Sequence, residues 1–165
     1  MKHATFVLAM GLLLGLAGCA GGPRYDTRQV NTALTPAQVV AAPDAHVGAQ
    51  VIWGGLIVTT RNQPGYTEME ILSYPLDSAQ RPDIRLSAQG RFIARYSGYL
   101  EGVDYAPGRQ ITLKGQVVKI LAGKVGEAPY NFPLIQADNV YLWPIESRTY
   151  SSQPQFHFGV GVIFH

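Results

Sequence analysis

The sequence has a single cysteine among its 165 residues, and only 15% of its residues are charged. A chain with one cysteine cannot form an internal disulfide, so its fold must be held together by its core. The 13 lysine and arginine residues nearly balance the 11 aspartate and glutamate residues, giving a formal net charge of +2. This balance provides no electrostatic basis for binding nucleic acid, so we expect no nucleic-acid partner.

The sequence also contains no hydrophobic run long enough to cross a bilayer as a permanent helix. The run from residue 6 to residue 16 follows a short polar stretch that contains Lys2, which is the arrangement of a secretion signal. Its end matches the bacterial lipobox, a bulky aliphatic residue and two small residues before a cysteine: Leu16, Ala17, Gly18 and Cys19. We therefore predict that residues 1–18 are cleaved and that the acylated thiol of Cys19 holds the protein to a lipid bilayer.

The residues after the predicted anchor indicate where it places the domain. Ala20 stands where an aspartate would favour retention at the inner membrane, so we expect an outer-membrane protein that faces the periplasm. Residues 19–33 are mostly small and polar. We expect them to form the lipidated N-terminus and a tether that lifts the domain off the lipid surface.

Residues 34–146 carry the signals of a β-domain, since they are rich in Val, Ile, Tyr and Phe. Thr35 and Pro36 suit the N-cap and first position of a short helix that Pro43 ends. Five strand signals follow, at residues 51–58 with a bend or bulge at Gly54-Gly55, 66–74, 92–96, 111–121 with an interruption at Gly115, and 132–143. The pattern predicts an all-β fold, a small OB-like barrel of five to six strands, with a β-sandwich as the alternative.

Residues 147–165 form a tail rich in glycine and aromatic residues. Its apolar side chains alternate with period two, which is typical of a strand: Phe156, Phe158, Val160, Val162 and Phe164. An extra C-terminal strand of this kind either packs on its own barrel or contacts an envelope protein or the membrane surface. A flexible tail is the third interpretation.

Several short motifs extend the pattern beyond the lipobox: Val51–Ile57 (VIWGGLI), Tyr74–Asp77 (YPLD), Gly90–Ala94 (GRFIA), Gly123–Glu127 (GKVGE) and Tyr130–Pro133 (YNFP). With these motifs the chain resembles the Slp family, the starvation-inducible outer membrane lipoproteins. The resemblance spreads over residues 48–143 and leaves the tail beyond Trp143 outside it. It implies an envelope lipoprotein linked to stationary phase and stress, with no catalytic residues to carry over.

The sequence contains no nucleophile, phosphate-loop or dinucleotide motif. The histidines that follow the signal, His46, His157 and His165, lack the close spacing of metal ligands. We therefore expect no enzyme activity, no cofactor and no metal, and interpret GKVGE as a turn between the fourth and fifth strands. The favoured function is a structural or protein-binding role in the envelope.

One set of residues supports an alternative function. Arginine and tyrosine side chains that stack on sugars or bases are typical of OB-like binding modules, and the candidates are Arg91, Arg95, Tyr96, Tyr99, Tyr105 and Arg109. They suggest a module that binds carbohydrate or peptidoglycan fragments. The competing interpretation is structural: these side chains cap the ends of the barrel and pair with Glu101 or Asp104.

Overall fold

Five β-strands form a closed barrel in the computed structural model, which describes residue 22 and residues 24–145. Two short helices precede them, α1 (Pro36–Ala41) and α2 (Pro43–His46). The strands are β1 (Gln50–Gln63), β2 (Tyr66–Tyr74), β3 (Arg91–Ser97), β4 (Gln110–Val125) and β5 (Ala128–Leu142). The predicted signal, the lipobox with Cys19, and the predicted C-terminal strand lie outside the described residues.

The strand order around the barrel is β1-β2-β3-β5-β4, and β4 closes the barrel by pairing with β1. All neighbouring strands are antiparallel except β3 and β5, which run parallel. A five-stranded barrel with this crossover is the architecture of an OB fold. The prediction of an OB-like barrel is confirmed, and the sandwich alternative is excluded.

Helix α1 begins where the sequence predicted. The side-chain oxygen of Thr35 accepts a hydrogen bond from the backbone of Gln38, whose side chain in turn accepts one from the backbone of Thr35. This reciprocal capping satisfies amides that the first helical turn leaves unpaired. Pro43 does more than end α1, because it also begins α2. Val39 on α1 is fully buried in the same hydrophobic cluster as the barrel interior.

Trp53 lies at the centre of the contact between α1 and the barrel. Its indole N–H donates a 2.7 Å hydrogen bond to the carbonyl oxygen of Leu34, just before the helix. Its ring meets Phe92 of β3 edge to face, with 5.1 Å between ring centroids. Both rings are almost wholly buried, so this pair ties the N-terminal region to the core.

Strand β2 has the predicted bounds. The alternation along its sequence also predicts two faces, with Met69, Ile71 and Ser73 on one and Glu68, Glu70 and Leu72 on the other. Met69, Ile71 and Ser73 are buried in the barrel interior, whereas Glu68 and Leu72 are among the half-buried residues of the outer face. A strand that packs one face on a core alternates in this way.

Strand β1 differs from its prediction in length and in the place of its irregularity. It continues to Gln63, and its register against β2 shifts between Ile57 and Thr59, after the glycine pair. The glycines serve close packing instead: a Cβ atom on Gly55 would lie 1.9 Å from the carbonyl oxygen of Leu72. The glycine pair, which the sequence analysis interpreted as a bend or bulge, therefore marks a close contact between strands.

Strands β4 and β5 extend further than predicted on both sides of their turn. Pairing continues to Val125 and Ala128, so the turn is confined to Gly126 and Glu127, with Gly126 at φ +58°. The predicted turn at residues 123–127 is confirmed at its C-terminal end, while residues 123–125 belong to β4. The predicted interruption at Gly115 is confirmed by a register shift against β5.

Replacing Gly55 with alanine tests the close contact between β1 and β2. We expect Gly55→Ala to lower the free energy of unfolding by about 3 kcal/mol, because the new methyl group must push backbone apart. Gly102→Ala is the matched control, since nothing lies within 4 Å of a Cβ at that position. Urea denaturation of both variants measures the difference. Equal stability of the two variants would contradict this account of the glycine pair.

Candidate functional site

The segment that the sequence predicted as a tether lies against the barrel. Within its described part, the backbone N–H of Asn31 donates to the carbonyl oxygen of Gln50 at 3.1 Å. The ammonium of Lys114 donates to the carbonyl oxygen of Asp26 at 3.2 Å. The described part of the predicted tether is therefore hydrogen-bonded to the barrel wall at Asp26 and Asn31.

The side chain of Gln80 holds this segment through two hydrogen bonds, one that it accepts and one that it donates. The backbone N–H of Tyr25 donates to the side-chain oxygen of Gln80 at 2.8 Å, and the side-chain amide of Gln80 donates to the carbonyl oxygen of Tyr25 at 3.0 Å. The side chain thus replaces the backbone of a neighbouring strand as the partner of Tyr25. Fifty-five positions separate the two residues in sequence.

The loop that presents Gln80 is held in an unusual conformation. Gln80 has φ +62° and is the only non-glycine residue with a positive φ in the described part of the chain. The side chain of Asp77 accepts hydrogen bonds from the backbone N–H groups of Ala79 and Arg81, at 2.8 and 2.9 Å. Such a conformation costs roughly 1–2 kcal/mol and persists where surrounding contacts impose it. Asp77 supplies those contacts.

A chain of hydrogen bonds links this loop to Trp143 at the end of β5. The indole N–H of Trp143 donates to the hydroxyl oxygen of Thr112 at 2.9 Å, and that hydroxyl donates to the carbonyl oxygen of Gln80 at 2.7 Å. Thr112 is fully buried and Trp143 is 6% exposed. Every polar group of this buried chain is therefore paired, as its burial requires.

Gly22 packs directly on the ring of Trp143. A Cβ atom at position 22 would lie 2.3 Å from a ring carbon, so no larger residue fits without movement. Tyr141 meets the same indole edge to face at 4.9 Å between centroids. The guanidinium of Arg81 lies 5.4 Å from the ring centroid, within the range of a cation–π contact. The N-terminal segment thus runs under an aromatic and cationic cluster.

The environment of Tyr25 keeps its phenol neutral. Burial, with smaller contributions from negative charge on Tyr105 and Tyr141, raises the pKa of Tyr25 to about 12. The hydroxyl donates to the carbonyl oxygen of Thr112 at 3.3 Å. The pKa of Tyr25 in the folded state lies above its value in the unfolded state. The stability that the neutral phenol of Tyr25 contributes is therefore present below pH 10 and is lost as the pH rises towards 12.

Two of the predicted ligand-binding residues lie on the outer face of β2 and β3, where each pairs with a carboxylate. Arg91 contacts Glu70 at 2.6 Å, and Arg95 contacts Glu68 at 3.0 Å. The guanidinium of Arg95 also lies 5.1 Å from the ring centroid of Tyr66. These arginines form cross-strand ion pairs, not the pairs with Glu101 or Asp104 that the structural interpretation predicted.

The other four predicted residues lie on or beside the loop between β3 and β4. The pKa of Tyr105 is raised by burial and then by Tyr96 and Asp104, while Arg109 lowers it, so Tyr96, Tyr105 and Arg109 are neighbours. Arg109 donates to the backbone carbonyl oxygen of Asp104 at 2.8 Å. Tyr99 is 68% exposed and donates to the carboxylate of Glu101, whose charge raises the pKa of Tyr99. The six residues are thus distributed over three places.

The sequence reasoning missed the residues that pack and hydrogen-bond around Trp143. Gln80 falls in a stretch that showed no strand or helix signal, and Tyr25 falls in the predicted tether. Gly21 and Gly22 were the one available signal, and the sequence assigned them to the start of a tether. Within residues 22 and 24–145, no group of three acidic, histidine or cysteine side chains forms a metal site, and no helix is long and apolar enough to cross a membrane.

The comparison with protein families covers nearly the whole chain. A model of the outer membrane lipoprotein Slp family matches residues 16–162. The match begins at Leu16 of the lipobox and includes most of the tail. The expectation that the tail beyond Trp143 lies outside the family is therefore wrong, because the motifs quoted for the resemblance sample only the barrel.

Two curated relatives come from Escherichia coli K12. The chain is 34% identical over 146 residues to the uncharacterized lipoprotein YeaY, covering 86% of this chain and 74% of the relative. It is 28% identical over 166 residues to the outer membrane protein Slp, covering 99% and 87%. A crystal structure of the mitochondrial single-stranded DNA-binding protein Rim1 from S. cerevisiae covers 58% of this chain and 94% of its own, with 11% identity and a TM-score of 0.37. The OB-like assignment rests on the strand order alone.

Replacing Gln80 with glycine tests whether its side chain holds the N-terminal segment. Glycine accepts the positive φ at this position, so Gln80→Gly removes the amide without straining the loop. We expect hydrogen exchange at the Tyr25 amide to become at least about fivefold faster, as loss of a bond worth about 1 kcal/mol implies. Ser78→Gly, an exposed change in the same loop, is the control. Unchanged exchange at Tyr25 in Gln80→Gly would show that other contacts hold the segment.

Proposed function

The chain belongs to the outer membrane lipoprotein Slp family, and we propose that acyl chains on Cys19 anchor its barrel at the periplasmic face of the outer membrane. There it acts as a non-enzymatic structural or protein-binding module. The family match supports the anchor because it begins at Leu16 and so includes the lipobox. A link to stationary phase and stress is part of the proposal and rests on the family resemblance.

The observation that carries this proposal is the docking of the segment that follows Cys19. Gly22 lies only three residues beyond the predicted lipid site and is already packed on Trp143. Tyr25 is held by Gln80 a few residues further on. An N-terminus built into the barrel in this way is what a domain positioned by its own lipid anchor requires.

The ionisable groups of the barrel support a non-enzymatic role. General acid–base catalysis needs a group whose pKa is moved towards the working pH. Asp83 and Asp26 have shifted pKa values, and both are lowered by hydrogen bonds from neighbouring arginines, Asp83 to about 2. Carboxylates that stay ionised in this way are poor proton donors. Their arginine partners, Arg85 and Arg28, lie on the same short stretches of chain.

The carbohydrate-binding alternative stays a prediction. Its six candidate residues do not form one surface, and Arg91 and Arg95 already hold carboxylates. A titration of the domain with peptidoglycan fragments, followed by NMR shifts at Tyr96 and Arg109, is the direct measurement.

Replacing Cys19 with serine tests the anchor. In the native protein, we expect mass spectrometry to find an N-terminal peptide that begins at Cys19 and carries acyl chains. Cys19→Ser should abolish the acylated peptide and the cleavage before it, because serine has no thiol to receive the lipid. Ser87→Ala, which changes an exposed hydroxyl far from the lipobox, should leave both intact. A native protein with a free thiol at Cys19 would overturn the proposed anchor.

A photo-crosslinking amino acid placed in the tail tests the protein-binding role. If the tail is an extra strand that contacts an envelope partner, crosslinker at Phe158 should capture one defined protein in cells. The same crosslinker at His157, on the opposite face of the predicted strand, should capture it several times less. Capture that is equal at the two positions, or that joins Phe158 only to the protein's own barrel, would contradict the proposed contact.

A further inference from the structure

We propose that the barrel meets the lipid headgroups of its membrane through one fixed face, the Trp143 face, formed by Ile84, Arg109 and Ile145 around the buried Trp143. This inference rests on the proposed lipidation of Cys19. It adds an orientation to the proposed function: one end of the barrel lies in the headgroup layer, and the other end is held away from it.

Chain length sets the distance between the anchor and this face. The three residues from Cys19 to Gly22 span at most about 11 Å, even when fully extended. Gly22 touches the ring of Trp143. The headgroup layer on each side of a bilayer is about 5–7 Å thick. With its acyl chains in the hydrocarbon core, Cys19 therefore holds Trp143 within or directly beside the headgroups.

The residues that follow Gly22 in the sequence are also fixed to the barrel. Tyr25 is paired with Gln80, and Gln80 is joined through Thr112 to the indole of Trp143. The free stretch of chain between Cys19 and the barrel therefore cannot become longer unless these hydrogen bonds break. Because these bonds join the segment rigidly to the barrel, the short distance from Cys19 restricts how the barrel can turn. It therefore determines which face meets the membrane as well as how far the barrel lies from it.

The chemistry of the Trp143 face suits a lipid surface. Ile145 is 72% exposed and Ile84 is 46% exposed. Each lines a hollow that also contains Arg81 and Gln110, and these two residues are joined by a 2.8 Å hydrogen bond. The two aliphatic side chains therefore lie on either side of the Arg81–Gln110 pair. Exposed aliphatic side chains beside arginines resemble the combination of apolar and basic residues with which proteins lie in the headgroup layer.

Arg109 supplies this face with a group that can bind phosphate. Arg109 donates to the carbonyl oxygens of Asp104 and Trp143, which uses two of its five donors. It lines a shallow hollow of about 340 Å³ together with Trp143 and Ile145. The nearby carboxylate of Asp83 is held by Arg85. An arginine that lines a hollow beside an apolar side chain fits the phosphates of phospholipids.

The opposite end of the molecule is the hairpin of β4 and β5. Strand β4 starts next to Trp143, whose backbone N–H donates to the carbonyl oxygen of Gln110, and runs for 16 residues to Val125. At about 3.3 Å per residue, its far end lies up to about 50 Å along the strand from the lipid surface. Val118 lies halfway along it and is 42% exposed, nearly as much as Ile84.

Depth measurement with single cysteines tests the orientation in the full, lipidated protein. Because the thiol of Cys19 is acylated, a cysteine introduced by Ile145→Cys, Ile84→Cys or Val118→Cys is the only site that takes an NBD label. The labelled proteins are placed in vesicles of phosphatidylethanolamine and phosphatidylglycerol with doxyl-labelled lipid as quencher. We expect quenching at positions 145 and 84 to exceed that at position 118 by about threefold or more, given the thickness of the headgroup layer.

The outcomes separate this inference from the proposed function. Vesicle flotation reports anchoring alone, so a protein that floats but shows equal, weak quenching at all three positions is anchored without a fixed face, and the inference is overturned. A Trp143 face covered by the C-terminal residues or by a second copy gives that same weak quenching at positions 145 and 84. A protein that fails to float refutes the anchor, and the inference with it.

Discussion

The buried hydroxyl of Thr112 is the interaction on which the docking of the N-terminal segment on the barrel depends. It accepts from the indole of Trp143 and donates to the carbonyl oxygen of Gln80, whose side chain holds Tyr25. Removing this hydroxyl would leave the indole N–H and the carbonyl without a partner in a site closed to water, which costs more than the bonds themselves contribute. The sheet, the loop at Gln80 and the N-terminal segment are thereby fixed as one unit.

The elements that local signals specify could be predicted from the sequence. Alternation along Tyr66–Tyr74 identified both faces of β2, and the Thr35 cap placed the start of α1 to the residue. Each of these depends on residues a few positions apart, where periodicity and capping chemistry act directly. Counting five strands without a helical repeat was then enough to favour the closed barrel over other small folds.

The site could not be predicted, because its contacts join residues far apart in the chain. Tyr25 and Gln80 are separated by 55 positions, and Thr112 and Trp143 by 31. The pairing of Arg95 with Glu68 likewise depends on the register of β2 and β3, which no local pattern specifies. Glycines near Cys19 suggested flexibility, yet Gly22 is required by the approach of the Trp143 ring. Glycine in a sequence does not distinguish freedom from tight packing.

A lipid anchor changes how strong a surface contact must be. If Cys19 is held in the bilayer as proposed, the Trp143 face would encounter headgroups at an effective concentration set by the short reach from Gly22, and contacts too weak to bind a vesicle alone would nearly always be made. A few exposed side chains such as Ile145 and Arg109 are then sufficient, and no large hydrophobic patch is needed. This explains how a barrel whose outer face on β2 and β3 carries mutually paired charges can still take a single orientation. The proposed orientation follows from covalent reach and a docked N-terminus, and lipid affinity would only refine it.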